Sequence, residues 1–142
     1  MNSKREGYEL FPHGADVGIR GWGPSPDDAF AQGATALTSV VTDPGRVRQL
    51  TSVKITCAAP DIVVLFVDWI NAIILEMDVR GMLFGRFEVT LSGLSLDATI
   101  WGEAVDRARH EPAAEPKGAT YTLADVSESA DGIWTAQCVV DV

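Results

Sequence analysis

The spacing of apolar and polar positions divides the chain into short strands and two helices. Residues 8–11 and 17–22 read as strands joined through Pro12-His13-Gly14-Ala15-Asp16. Ser25 then stands as an N-cap and Pro26 takes the first helical position, where its fixed φ suits the turn. Asp28 follows three residues after the cap, facing the positive end of the helix dipole. Phe30, Ala34, Leu37 and Val41 recur at spacings of 4, 3 and 4, which draws one apolar face, and Asp43-Pro44-Gly45 stops the helix.

Val53, Ile55 and Cys57 alternate with Lys54 and Thr56, the period of a half-buried strand. Pro60-Asp61 opens a second helix that runs to about Met77. Its apolar residues cover nearly the whole circumference, leaving Asp61, Asp68 and Asn71 as a narrow polar stripe, so this helix is packed on most sides. Residues 87–91, 94–103, 121–126 and 133–140 read as strands, with turns at Ser92-Gly93 and Asp131-Gly132. A polar, proline-containing loop lies between Asp106 and Lys117. The order ββ-α-β-α-ββ-ββ, with short turns between consecutive strands, favours antiparallel pairing. The expected class is α+β: two helices packed on a largely antiparallel β-sheet, in a single compact domain over residues 1–142.

Composition changes this picture little. With 142 residues, 46% of them apolar, the chain can bury a core without a metal or disulfide staple. Cys57 and Cys138 lie far apart in apolar runs, which suits two buried thiols in a reducing cytosol. The first seven residues carry basic groups but no following apolar segment, so no signal peptide is read and the expected location is cytoplasmic. The longest apolar stretch contains Asp68, Asn71 and Glu76, which argues for a buried soluble helix and against a membrane span. The four tryptophans (22, 69, 101 and 134) sit inside expected elements and are assigned to the core.

Charge narrows the function. Eleven Lys+Arg against 20 Asp+Glu give a net charge of −9. Such a surface repels phosphate backbones, which disfavours stable binding of nucleic acid or anionic membrane. Carboxylates can instead gather a cation or meet a basic partner. No P-loop, GxGxxG after a strand or GxSxG elbow is present. His13 and His110 are the only histidines, which excludes a three-histidine zinc site. Asp16 lies in a tight loop after the first strand, beside His13, which could be a base, a ligand or a plain neighbour. At the chain end, the Asp141 side chain and the Val142 α-carboxylate stand next to each other, oxygen donors of the kind that suit Ca²⁺ or Mg²⁺. Lys117, one of three lysines, precedes a small-residue approach to a strand, where an ammonium could neutralise a carboxylate or contact a partner.

Taken together these strings resemble the archease family. Its opening H-T-A-D-[IV]-G-I motif matches His13-Gly14-Ala15-Asp16-Val17-Gly18-Ile19. Thr42-Asp43-Pro44, Asp68-Trp69-Ile70-Asn71, Gly102-Glu103 through Arg109-His110, Lys117-Gly118-Ala119-Thr120-Tyr121 and Asp141-Val142 follow in order and spacing. Gly14 stands where the family usually has Thr, Ala72 where Glu is frequent, and Thr122 where a His is usual. The resemblance implies a small cytosolic protein, itself without a catalytic residue. It would assist an RtcB-type RNA ligase, a GTP- and metal-dependent enzyme that joins 3′-phosphate or 2′,3′-cyclic-phosphate ends to 5′-hydroxyl ends, as in tRNA splicing. It also implies that Asp16, Asp43, Asp141 and the Val142 carboxylate bind a divalent metal (Ca or Mg) and that Lys117 is functional; Lys117 and His13 are the expected partner-binding or cluster-orienting residues. Two other classes stay open: a stand-alone metal-dependent hydrolase using His13 as base, and a non-catalytic chaperone-like binding module.

Overall fold

The first hairpin is built by a two-residue turn. In the computed structural model, which describes residues 5–142, β1 (Gly7–His13) pairs antiparallel with β2 (Asp16–Gly23), and His13 faces Asp16 across Gly14-Ala15. Gly14 has φ +59, the conformation that a two-residue hairpin turn takes most readily with glycine. That accounts for glycine where the resemblance has Thr.

Helix α1 (Pro26–Val41) starts as expected: the Ser25 side chain accepts from the Asp28 N–H, and Pro26 fills the first turn. The helix doubles back along β2 and crosses it backbone against backbone, because an added Cβ on Gly21 would lie 2.1 Å from Gly33 N. Phe30, Ala34, Leu37 and Val41 are all buried. A single 3-10 turn (Pro44–Arg46), capped by Asp43, leads to β3 (Thr51–Ala58). Helix α2 (Ile62–Arg80) is capped by Asp61 and ends at Gly81 in the left-handed conformation, three residues beyond the expected stop. Trp69 lies fully buried on it, its indole N–H donating to the Phe30 carbonyl at 3.0 Å, so its one polar atom is satisfied. Leu75 and Val79 leave the core and face solvent, a break in the expected all-round packing of α2.

The strands β4 (Met82–Ser92) and β5 (Ser95–Ala104) follow, then a one-turn helix α3 (Arg107–His110). After it come β6 (Gly118–Ala119), β7 (Asp125–Glu128) and β8 (Trp134–Asp141). Every strand pair is antiparallel. One sheet runs β1-β2-β8-β6, with β7 also on β8; the other runs β3-β5-β4. Both helices pack their apolar faces into one core with these sheets, around Phe30, Leu37, Phe66, Trp69, Ile73 and Ile100. The Phe30 and Phe66 rings meet edge to face at 5.1 Å. The α+β class with antiparallel sheet is therefore what forms, with the strands divided between two sheets and a third, very short helix added.

Four local expectations are corrected. β4 begins at Met82, five residues before the expected start, because Met82, Leu83 and Phe84 pair with β5 ahead of a register shift between Phe84 and Arg86. Of the expected strand over 121–126, residues 121–124 form a turn through Leu123 (φ +53), and only Asp125 and Val126 are strand, as the start of β7. The loop after Asp106 contains α3, whose N-cap is Asp106 itself. Of the tryptophans only Trp69 is fully buried; Trp22, Trp101 and Trp134 are partly exposed, and Trp101 lies beneath the Arg86 guanidinium at 4.3 Å. Cys57 is half-buried and Cys138 buried, both as free thiols. Among the described residues no helix is long and apolar enough to cross a membrane.

Candidate functional site

One end of the first sheet gathers residues from opposite ends of the sequence. Val17 pairs with Val140, which brings Asp16, at the start of β2, beside Asp141 and Val142, at the end of β8. The Val142 N–H lies 3.4 Å from Asp16 Oδ1. β6 lies along β8, and the Lys117 N–H donates to the Asp141 carbonyl at 2.8 Å. His13 is exposed at the tip of the same hairpin. Asp16 is half-buried, whereas Asp43, Lys117 and Asp141 are exposed.

Asp43 reaches this end by a different route. Helix α1 spans about 24 Å and β2 about 26 Å, so a helix that doubles back along β2 delivers Asp43 to the end where β2 began. Its carboxylate is turned inward on its own backbone, accepting from the Gly45 N–H at 2.9 Å. The segment 111–116 bridges the two loops. Ala113 N–H donates to the Val41 carbonyl at 2.8 Å, and Lys117 follows at the Asp141 side.

The structure thus joins Asp16 to Val142 and Lys117 to Asp141, and does not bring Asp43 into contact with them. Among the described residues no three His, Cys, Asp or Glu side chains form a group that could hold a metal ion. The donors are hard oxygens of the type Ca²⁺ and Mg²⁺ take. As they stand, they are an open set and not a closed cage. None of Asp16, Asp43 and Asp141 forms an ion pair among the described residues, whereas Glu9, Glu76, Glu88, Glu103 and Glu111 each have an arginine partner.

Two further features brace these loops, and the residue reading assigned neither a role. The first is a buried ionic network. Glu103 accepts from the Arg109 guanidinium, from the Arg48 N–H at 2.7 Å, and pairs with His110 Nε2 at 2.9 Å. His110 Nδ1 accepts from the Asp106 N–H at 2.8 Å, which leaves Nε2 to donate to Glu103. Arg109 also donates to the Arg46 carbonyl at 2.7 Å, and Thr42 Oγ1 donates to the His110 carbonyl at 2.5 Å. The segment carrying Asp43 is therefore tied on both sides. The Arg109 hydrogen bond, helped by Arg48 and His110 and opposed by burial, lowers the Glu103 carboxyl to about 2. The second feature is Asn71 on α2, whose side-chain amide bonds the backbone of Ala119. Both sets of residues lie within strings that carry the resemblance, which is the only signal for them in the sequence.

Comparison with known proteins follows the same geometry. Residues 8–142 match the model of the Archease protein family (MTH1598/TM1083). The protein archease of Pyrococcus abyssi is 33% identical over 139 residues, covering 95% of this chain and 98% of that protein. That of Methanopyrus kandleri is 34% identical, covering 95% and 99%. The solution structure of Methanobacterium thermoautotrophicum protein 1598 superposes with a TM-score of 0.84 at 26% identity, covering 96% of this chain and 99% of that one. A Thermotoga maritima structure, described as an archease and possible chaperone, shares the fold with a TM-score of 0.61 at 19% identity, covering 94% and 96%. The matched range takes in both sheets and both long helices, and on it the chain belongs to the archease family.

Proposed function

We propose that this chain is a cytoplasmic activator of an RtcB-type RNA ligase in tRNA splicing or RNA repair, promoting guanylylation and multiple turnover without joining RNA itself. The observation that carries this reading is the meeting of Asp16, Asp141 and Val142 at one sheet end, beside Lys117, with no arginine or lysine ion-paired to either aspartate among the described residues. A strongly acidic protein is poorly suited to grip RNA and well suited to act on a metal-dependent, RNA-binding enzyme.

The carboxylates divide the work by their setting. Asp16 is half-buried and steadied by the Val142 N–H, so it is presented with little freedom to lose. Asp141 is exposed, at the end of a strand held on both edges, and Asp43 must release the Gly45 N–H to turn outward. A divalent cation such as Ca²⁺ or Mg²⁺, when held there, would neutralise the mutual repulsion of these groups. Because the set is open, the partner's own groups and water would complete the coordination. Lys117 stands next to this charge and would orient the carboxylates or contact the docked ligase.

The test is multiple-turnover ligation by the cognate ligase, with wild type, Asp16→Ala and Asp141→Ala. The expected result is loss of most of the stimulation in both variants, with single-turnover ligation by pre-guanylylated ligase unchanged. Full stimulation by both variants contradicts the assignment and favours a chaperone-like module indifferent to Asp16. Phosphate-ester hydrolysis by this chain alone, abolished in His13→Ala, would favour the hydrolase.

A further inference from the structure

The strand that delivers Lys117 has only two residues, Gly118 and Ala119, and lies at an edge of its sheet. Its bonds toward β8 are made by the flanking residues: Lys117 N–H to the Asp141 carbonyl at 2.8 Å and Thr120 N–H to the Val139 carbonyl at 2.9 Å. The N–H and C=O of Ala119 face the other way, toward α2, where an unpaired backbone edge would be costly. Asn71 completes them. Its Oδ1 accepts from the Ala119 N–H at 2.8 Å, and its Nδ2 donates to the Ala119 carbonyl at 3.3 Å. A primary amide offers one acceptor and two donors side by side, so it stands in for the next strand of the sheet. Aspartate could supply only the acceptor and leucine neither.

We propose that Asn71 is a positioning residue for Lys117. Its amide clamps 117–119 between α2 and β8, and so fixes the stem of the lysine at the carboxylate end. The clamp has a competitor to exclude. Lys117 and Asn71 line one hollow of about 400 Å³ together with Asp78 and Glu115. An unclamped segment would leave the stem of Lys117 free to shift along this hollow toward Asp78 and Glu115, away from the place its backbone bond to Asp141 sets. The inference rests on the ligase-activator reading, because the role it assigns is toward Lys117.

The experiment compares Asn71→Leu, Asn71→Asp and Lys117→Ala, with wild type, in two readouts. One is ligase stimulation as a function of activator concentration. The other is amide hydrogen exchange at Ala119, with Ile19 and Cys138 as controls in the central strands. For Asn71→Leu, which keeps the side-chain volume, Ala119 exchange is expected to quicken by at least about tenfold while the controls stay protected. Its maximal stimulation should fall about tenfold or more at saturating activator, as for Lys117→Ala, a loss that reduced folding alone would not give with intact controls. Asn71→Asp, retaining the acceptor, should lie between leucine and wild type in both readouts. If Asn71→Leu loses protection at Ile19 and Cys138 as well, the aspartate variant decides on the same criteria. Wild-type stimulation by the Asn71 variants, with stimulation lost in Lys117→Ala, overturns the positioning role and leaves the activator reading intact. Full stimulation by Lys117→Ala removes the lysine's role from that reading and the present inference with it.

Discussion

Gly21 lies at a close contact between helix and sheet. With no side chain it lets α1 lie against β2 at backbone distance, and a methyl group there would meet Gly33 N at 2.1 Å and Ala29 O at 2.6 Å. Neither neighbour is a side-chain tip that could swing aside, so the helix itself must shift. Gly21→Ala is expected to cost about 3 kcal/mol, lowering the thermal midpoint by roughly 10 °C, measurable by circular dichroism. The shift would also move Asp43 relative to Asp16, since α1 is what connects them. Such single contacts were not legible in the sequence, where Gly21 reads as one glycine of a Gly-Trp-Gly run. The turn role of Gly14 was hidden too: strands read over 8–11 and 17–22 leave a five-residue connection, and only the pairing of His13 with Asp16 shortens it to Gly14-Ala15.

At the scale of elements, the Glu103 network ties β5, α3 and the segment after α1 into one unit. Replacing a buried, paired carboxylate leaves Arg109 and the Arg48 N–H short of a partner. Glu103→Gln is therefore expected to destabilise by about 3 kcal/mol in urea unfolding at neutral pH. The pH dependence follows from the sign of the shift. Glu103 titrates at about 2 in the folded chain against an ordinary 4.5, so its contribution is fully present above pH 4.5 and is lost as the pH falls toward 2. Wild type should lose stability over that window more steeply than Glu103→Gln, and parallel curves for the two would contradict the role of the carboxylate.

The elements also show what pattern alone could carry. Helix α1, from Ser25 cap to Asp43 stop, was legible to the residue because capping and periodicity are local. β6, β7 and α3 were not. Two of them are strands of two and four residues, defined by where β8 lies, and α3 is too short for any helical period. Asp16, His13, Asp141, Val142 and Lys117 stood out by residue type and position and Asp43 by the resemblance, but their meeting could not be read from pattern. Asp16 and Val142 are 126 positions apart and meet only because β2 and β8 are neighbours in the sheet.

Across the whole molecule, the net charge of −9 is unevenly answered. Arginines pair with acids along the hairpin, on α2 and around Glu103, while the three aspartates of the candidate site have no such partner among the described residues. On the proposed reading, acidity serves solubility over most of the surface and supplies oxygen donors at one end. On the proposed reading the complex, and not the free chain, would complete a metal site, since no group of three His, Cys, Asp or Glu able to hold a metal occurs among the described residues.

The most direct measurement is the rate at which GTP and a divalent metal convert the cognate ligase to its covalent guanylylated form. It compares the ligase alone with ligase plus wild type, Asp16→Ala or Asp141→Ala. Wild type is expected to accelerate this step at least about tenfold, either aspartate variant to remove most of that gain, and all three chains to keep the same fold by circular dichroism. Equal acceleration by wild type and both folded variants would contradict the role proposed for the aspartates.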